Sequence, residues 1–189
     1  MTSAVISQKI LPRTGIASVL AVVGAAALTA LAAQWVIYLP FTPVPITGQT
    51  FAVLLTGAAL GWKLGAAGQG LYVAVGALGA PVFADRSGGV DVVTGATAGY
   101  LIGFIFAAGL VGWMAEHKQD RSFATMFTAF MLGSGVIYVF GVAGLMLNLG
   151  MSLEEAIVAG VVPFLIGDLI KAGAAGLLLP GAWRLVGEA

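Results

Sequence analysis

Residues 14 to 62 contain no aspartate, glutamate, lysine or arginine across 49 positions. Soluble domains average about 25% charged residues, so a gap of that length constrains the fold more than any short motif. Further charge-free stretches run over 64–84 and 92–115, 21 and 24 residues long, and over 122–153, which has 32. The final stretch, 156–183, is 28 residues long and carries Asp168 and Lys171 near its middle. A helix needs about 20 mostly apolar residues to cross the hydrocarbon core of a bilayer. The first gap therefore holds two crossings around the turn Pro40-Phe41-Thr42-Pro43-Val44-Pro45, and each of the others holds one.

This reading predicts an all-α membrane protein, a six-transmembrane-helix bundle with spans near 16–38, 48–62, 65–82, 97–115, 123–147 and 157–183. The whole chain, 60% hydrophobic and 8% charged, is too apolar for a water-soluble globule. The second span reaches only about 22 Å, so it is expected in the bundle interior or at a loop dipping into the membrane.

Cytoplasmic loops collect Lys and Arg, which orients the spans. Lys9 and Arg13 precede the first, Lys63 joins the second and third, Lys118 and Arg121 join the fourth and fifth, and Arg184 follows the sixth. All fall on one side. The other side holds Arg86 with Asp85, Asp91, Glu154 and Glu155. Both termini are thus expected in the cytoplasm, residues 1–15 forming a cytoplasmic segment of a single membrane domain over 1–189. A cleavable signal sequence is the rival reading of the N-terminus, given Lys9, Arg13 and the small residues Ala30-Leu31-Ala32. The apolar run to Leu39 is longer than a signal core of 7–15 residues.

Several chemistries are excluded by composition. The chain has no cysteine, which removes disulfides, thiolate metal sites and thiol nucleophiles, and a lone His117 cannot form a multi-histidine site. No basic cluster grips nucleic acid. The run Gly57 to Lys63 is not a phosphate loop, because Trp62 and Leu64 stand where glycine and Ser/Thr are required. No dinucleotide fingerprint, zinc-protease motif or nucleophile elbow occurs. No cofactor and no enzymatic role are expected, and His117, between Glu116 and Lys118, reads as a solvated interfacial residue.

The loops assigned to the outside are elaborate. Leu39 to Thr47 carries three prolines, each fixing φ and removing a donor, and Ala84 to Asp91 turns through Gly88 and Gly89. They read as a lid facing outward, or simply as connectors. The 28 glycines suit close helix approach in lipid. Gly57/Gly61 and Gly99/Gly103 have the four-residue spacing, and Ala17, Ala21, Ala25, Thr29 and Ala33 form a small-residue stripe on the first span. That stripe serves either packing within the bundle or docking to another membrane protein.

Asp168 and Lys171 need a reason to lie in an apolar span, since each costs about 2.5–3.5 kcal/mol there. Spaced three apart they share a helix face, continued by Phe164 and Ala175. They could neutralise each other as a packing device. A buried pair rarely outperforms apolar residues of equal volume, however, which favours a functional pair. The lysine offers three donors to a carboxylate and the aspartate accepts from N–H groups. A small anionic solute with amide-like donors would suit both. Gln49 and Tyr100 add polar groups at the outward ends of spans, where capping or snorkelling would also place them.

The runs Pro43-Val44-Pro45-Ile46-Thr47-Gly48-Gln49-Thr50, Tyr72 with Gly76 to Phe83, Gly95-Ala96-Thr97-Ala98-Gly99-Tyr100-Leu101, and Gly167-Asp168-Leu169-Ile170-Lys171-Ala172 together resemble the BioY family. These are the biotin-specific substrate-binding components of energy-coupling factor (ECF) transporters. The resemblance extends over roughly residues 16 to 183. It implies a six-helix protein of a prokaryotic cell membrane that captures biotin from outside beneath loop lids. It also implies partnership with a transmembrane coupling subunit bearing two ABC ATPase subunits. Asp168 and Lys171 match the acid and base of the family's last-helix motif, and the expected substrate-binding set is Asp168, Lys171, Gln49, Tyr100, Thr97 and Phe164, with Lys171 expected on the valerate carboxylate, Asp168 on the ureido group or orienting Lys171, and Gln49 and Tyr100 helping to close the pocket. The implied partner-docking residues are Ala17, Ala21 and Ala25. Where the family usually reads Gly-Pro-Thr-Gly-Gly-Tyr, this chain has Gly95-Ala96-Thr97-Ala98-Gly99-Tyr100, which is expected to loosen the helix start and affect affinity. Two alternatives stay open: a solitary secondary transporter of biotin or another small organic anion, with Asp168 carrying protons, and a membrane scaffold that binds no solute.

Overall fold

The structure is a computed structural model and describes residues 5–10, 12 and 14–186. The helices are α1 (Ser7–Ile10), α2 (Gly15–Ala32), α3 (Gln49–Leu60), α4 (Trp62–Ala77), α5 (Val90–Val93), α6 (Ala98–Glu116), α7 (Phe123–Leu149), α8 (Leu153–Gly160) and α9 (Leu165–Leu185). Short 3-10 turns lie at Ala84–Arg86 and Val162–Phe164. Strands β1 (Val36–Ile37) and β2 (Ile46–Thr47) pair antiparallel, Val36 opposite Thr47 and Ile37 opposite Ile46, and frame the proline-rich loop.

Local chemistry sets these boundaries. Thr14 caps α2 by accepting from the Ala17 N–H at 3.2 Å. Gly61 turns α3 into α4 with φ +84°, and any Cβ there would strike the Glu116 carboxylate that accepts from the Trp62 N–H. Gly150, in the left-handed region at φ +68°, ends α7. Ser152 and Glu155 close a reciprocal capping box on α8.

Four segments are long and apolar enough to cross a membrane: Gly15–Ala32, Ala98–Glu116, Phe123–Leu149 and Leu153–Leu185. Two expectations are corrected in detail. The first span ends at Ala32 rather than residue 38, because the chain turns into the β1–β2 hairpin. The last span is not one helix but α8 and α9, broken at Pro163. A proline inside a helix lacks the N–H that would reach the carbonyl four residues back. That carbonyl, Ala159, instead accepts from the Thr42 hydroxyl at 2.7 Å, and its neighbour Gly160 accepts from the Tyr100 hydroxyl at 2.8 Å. The break thus pins both the proline-rich loop and α6 to the last helix pair.

Close backbone approach organises the bundle. At the α6–α7 crossing, a Cβ on Gly144 would lie 2.8 Å from the Gly99 Cα, and one on Gly103 would lie 3.1 Å from the Ile137 Cα. Gly57 packs on Ala108 where α3 crosses α6. The α2 stripe faces inward. Ala25, 3% exposed, meets Gly68 of α4, and Thr29 donates to the buried Gln69 Oε1 at 3.2 Å. Gln69 in turn donates to Thr56 of α3 at 3.1 Å. Ala17 is likewise buried, and with Ala21 it borders a groove beside Ser7 and Leu64. The exposed side of α2 is instead Ile16, Val19, Leu20, Val23 and Leu31.

The two ends of the bundle differ. At one, Trp183 near the end of α9 donates to Asp120 in the α6–α7 loop, and Glu116 meets the α3–α4 turn. Burial pushes the Asp120 carboxyl above its usual range, with the Trp183 hydrogen bond and Arg121 opposing the rise. Lys63, Lys118, Arg121 and Arg184 also belong to this end; Arg13 lies outside the described residues. At the other end, Gln34 fastens two loops, donating to the Phe83 carbonyl at 3.1 Å and accepting from the Arg86 N–H at 3.2 Å. The Tyr38 hydroxyl donates to Asp85 at 3.3 Å across the same loops.

Candidate functional site

Beneath those loops lies a cavity of about 210 Å³. Its roof includes Tyr38, Val44, Pro45 and Ser87, and its walls include Leu101, Phe104 and Ile137. All six residues proposed from the sequence line it: Asp168, Lys171, Gln49, Tyr100, Thr97 and Phe164. They converge because α3, α6 and α9 all begin here, with Gln49 first in α3, Thr97 flanking α6 and Asp168 in the first turn of α9. The break at Pro163 therefore moves the charged pair from the middle of a span to the start of a helix. A carboxylate there is favoured by the helix dipole.

The pair is tightly held. Asp168 is 3% exposed, and its Oδ1 lies 3.1 Å from the Lys171 Nζ. Asp168 Oδ2 accepts from the Tyr138 hydroxyl at 2.6 Å, and Oδ1 accepts more weakly from the Thr50 hydroxyl at 3.4 Å. Lys171 donates to the Thr50 hydroxyl at 2.6 Å and to the Thr47 carbonyl at 3.1 Å, which joins α9 to α3 and the hairpin. These contacts satisfy a buried carboxylate and an ammonium that would otherwise be costly to bury.

The remaining residues divide by what their polar atoms do. Gln49 is buried, donating to the Tyr72 hydroxyl at 2.6 Å and accepting from the Thr47 hydroxyl at 2.8 Å, so its amide is fixed in place. Tyr100 directs its hydroxyl to the helix break and presents its ring to the cavity, 6.5 Å from that of Phe164. Thr97 makes no side-chain cap on α6. The start of α6 is steadied instead by Asn148, whose amide donates to the Gly95 carbonyl at 3.1 Å. His117 is exposed and its ring rests on Trp113, away from the site.

Sequence reasoning missed Tyr138, Thr50 and Thr47 as partners of the charged pair. Tyr138 carried a signal: a phenol in the middle of a long apolar span must find an acceptor inside the protein. Thr50 sits in a quoted motif, but its role depends on α3 and α9 being adjacent, which spacing along the chain does not reveal. Among the described residues no group of three or more His, Asp or Glu could hold a metal ion. The cavity's chemistry is one cation, one anion, fixed amide and hydroxyl groups, and aromatic walls, suited to an amphipathic anion.

Comparison with known proteins agrees with this architecture. The BioY family model matches residues 4–188. A biotin transporter BioY of Thermotoga maritima is 42% identical over 167 residues, covering 88% of this chain and 90% of its own. One from Rhizobium etli is 37% identical over 167 residues, covering 85% and 89%. The crystal structure of the S-component for biotin from an ECF-type ABC transporter superposes with a TM-score of 0.81 at 23% identity, over 92% of this chain and 95% of that one. At that identity the superposition speaks for the fold. With nearly the whole length matched by the family and with relatives this similar, the chain belongs to the BioY family.

Proposed function

We propose that this protein captures biotin and carries it across the membrane as the substrate-specific component of an ECF-type ABC transporter. The observation that carries this reading is the buried Asp168–Lys171 pair at the wall of a cavity roofed by two loops, in a chain similar over most of its length to named biotin transporters. Lys171 faces the valerate carboxylate, Asp168 orients Lys171 through the 3.1 Å contact between them, and the aromatic rings of Tyr100 and Phe164 flank the ring system.

The chain crosses the membrane six times in this reading. The segments α2, α3, α4, α6, α7 and the α8–α9 pair alternate in direction, both termini are cytoplasmic, and the cavity opens to the outside. The one-sided distribution of Lys and Arg supports that orientation. The helix α3, about 18 Å long, is too short to span alone and is completed by the hairpin before it. The setting is a prokaryotic cell membrane, and the partners are a transmembrane coupling subunit and two ATPase subunits. Docking of the coupling subunit through Ala17, Ala21 and Ala25 requires α2 to shift from α4, because that stripe packs inward.

Equilibrium binding to the purified protein tests the reading. Biotin is expected to bind at least a hundredfold more tightly than its decarboxylated analogue, as a charge-assisted contact is lost with the acid. Equal affinities would contradict it. In cells, uptake is expected to stop when the ATPase subunits are deleted. Uptake that persists and instead collapses with the proton gradient would favour a solitary carrier.

A further inference from the structure

A side chain outside the cavity grips the turn that roofs it. Gln34 follows α2, is exposed, and lines an outer groove beside Leu31, Trp35 and Ile170. Its amide has two hydrogens to donate, and both are used. One goes to the Ala30 carbonyl in the last turn of α2 at 2.9 Å, which fixes the side chain on the helix end; the other goes to the Phe83 carbonyl at 3.1 Å. The amide oxygen accepts from the Arg86 N–H at 3.2 Å. Both ends of the Phe83–Arg86 turn therefore hang on one amide. That turn needs holding. Asp85 and Arg86 are consecutive residues at φ +56° and +55°, in the left-handed region that a Cβ disfavours, and neither is glycine. Phe83, Ala84 and Ser87 of this segment line the cavity, and the buried Phe83 ring meets Tyr72 edge-on at 5.3 Å, the tyrosine whose hydroxyl accepts from Gln49.

We propose that Gln34 is a positioning residue for the cavity roof: its amide holds the Phe83–Arg86 turn in a left-handed form that the turn's own residues disfavour, and so slows the escape of a ligand held beneath it. The link to transport rests on the biotin reading above. Gln34 touches no ligand in this role. It acts through the backbone of Phe83 and Arg86, so its effect is the same for any solute under the roof, and it is needed only as long as position 86 carries a side chain that resists positive φ.

The test measures association and dissociation rates of biotin and its decarboxylated analogue for wild type, Gln34→Met, Gln34→Ala and Gln34→Met/Arg86→Gly. Hydrogen exchange of the backbone amides over residues 83–87 is followed in the same purified proteins without ligand. Both single variants should release biotin about tenfold faster, with association changed by less than about threefold. The analogue's release should quicken by the same factor, and the Arg86 amide should exchange faster while amides at the α6–α7 crossing do not. Glycine adopts positive φ readily, so the double variant should return biotin release to within about threefold of wild type. Unchanged release in the single variants would overturn the proposal, as would acceleration confined to biotin, failure of Arg86→Gly to rescue, or unchanged exchange over residues 83–87. The exchange measurement needs no ligand. A wild type that fails to bind biotin would therefore sink the biotin reading and leave the clasp to be judged by exchange.

Discussion

Lys171→Met is expected to lower biotin affinity by about a hundredfold to a thousandfold, the cost of leaving a carboxylate without its cation in a buried site. Methionine preserves the length and apolar stem of the side chain, so the change isolates the ammonium. It also leaves Asp168 with only the Tyr138 and Thr50 hydroxyls as partners. Some of the stability of the fold should therefore be lost together with binding. The double variant Asp168→Asn/Lys171→Met separates the two effects. Removing both charges is often neutral for folding, because it also removes both desolvation penalties. The double variant should recover thermal stability in detergent and still fail to bind biotin. Recovery of binding along with stability would mean that the pair serves packing alone, the alternative its spacing left open.

The second large effect is expected in a place with no polar chemistry. Alanine is a better helix former than glycine by about 1 kcal/mol, so helix propensity alone would make Gly99→Ala and Gly70→Ala both stabilising. Packing separates them. A Cβ at Gly99 would overlap the Phe140 carbonyl and press on the Gly144 Cα at 3.0 Å, both of them backbone atoms that no rotamer change can move. A Cβ at Gly70 would meet nothing within 4 Å. Gly99→Ala should cost about 3 kcal/mol, the upper part of the range for overpacking, and weaken biotin binding by shifting the neighbouring Thr97 and Tyr100. Gly70→Ala should leave stability unchanged or slightly raised. The measurement is thermal or denaturant unfolding in detergent, and equal outcomes for the two variants would contradict the close α6–α7 crossing.

The gaps between charges revealed the helices well, because crossing a bilayer demands long apolar runs and tolerates few alternatives. The same signal concealed the break in the last span. Hydropathy continues smoothly from Ala156 through Gly167, and only Pro163 interrupts the backbone bonding. The consequence of that proline, two carbonyls freed and taken up by Thr42 and Tyr100, depends on distant elements meeting. Asp168 and Lys171 were conspicuous as ions in an apolar segment. Their immediate partners were not, since Thr47, Thr50 and Tyr138 are unremarkable by composition and gain meaning only when α3, α7 and α9 surround one cavity. The α2 stripe shows the converse. Its spacing was plain, but spacing does not distinguish an inward face from a docking face, and here Ala25 and Thr29 face α4.

The most direct measurement is a structure of the protein with biotin bound. The account predicts the valerate carboxylate at hydrogen-bond distance from the Lys171 Nζ, about 2.8 Å, with Asp168 still paired to that lysine beneath the two loops. Biotin found outside this cavity, or inside it with its carboxylate turned away from Lys171, would contradict the account.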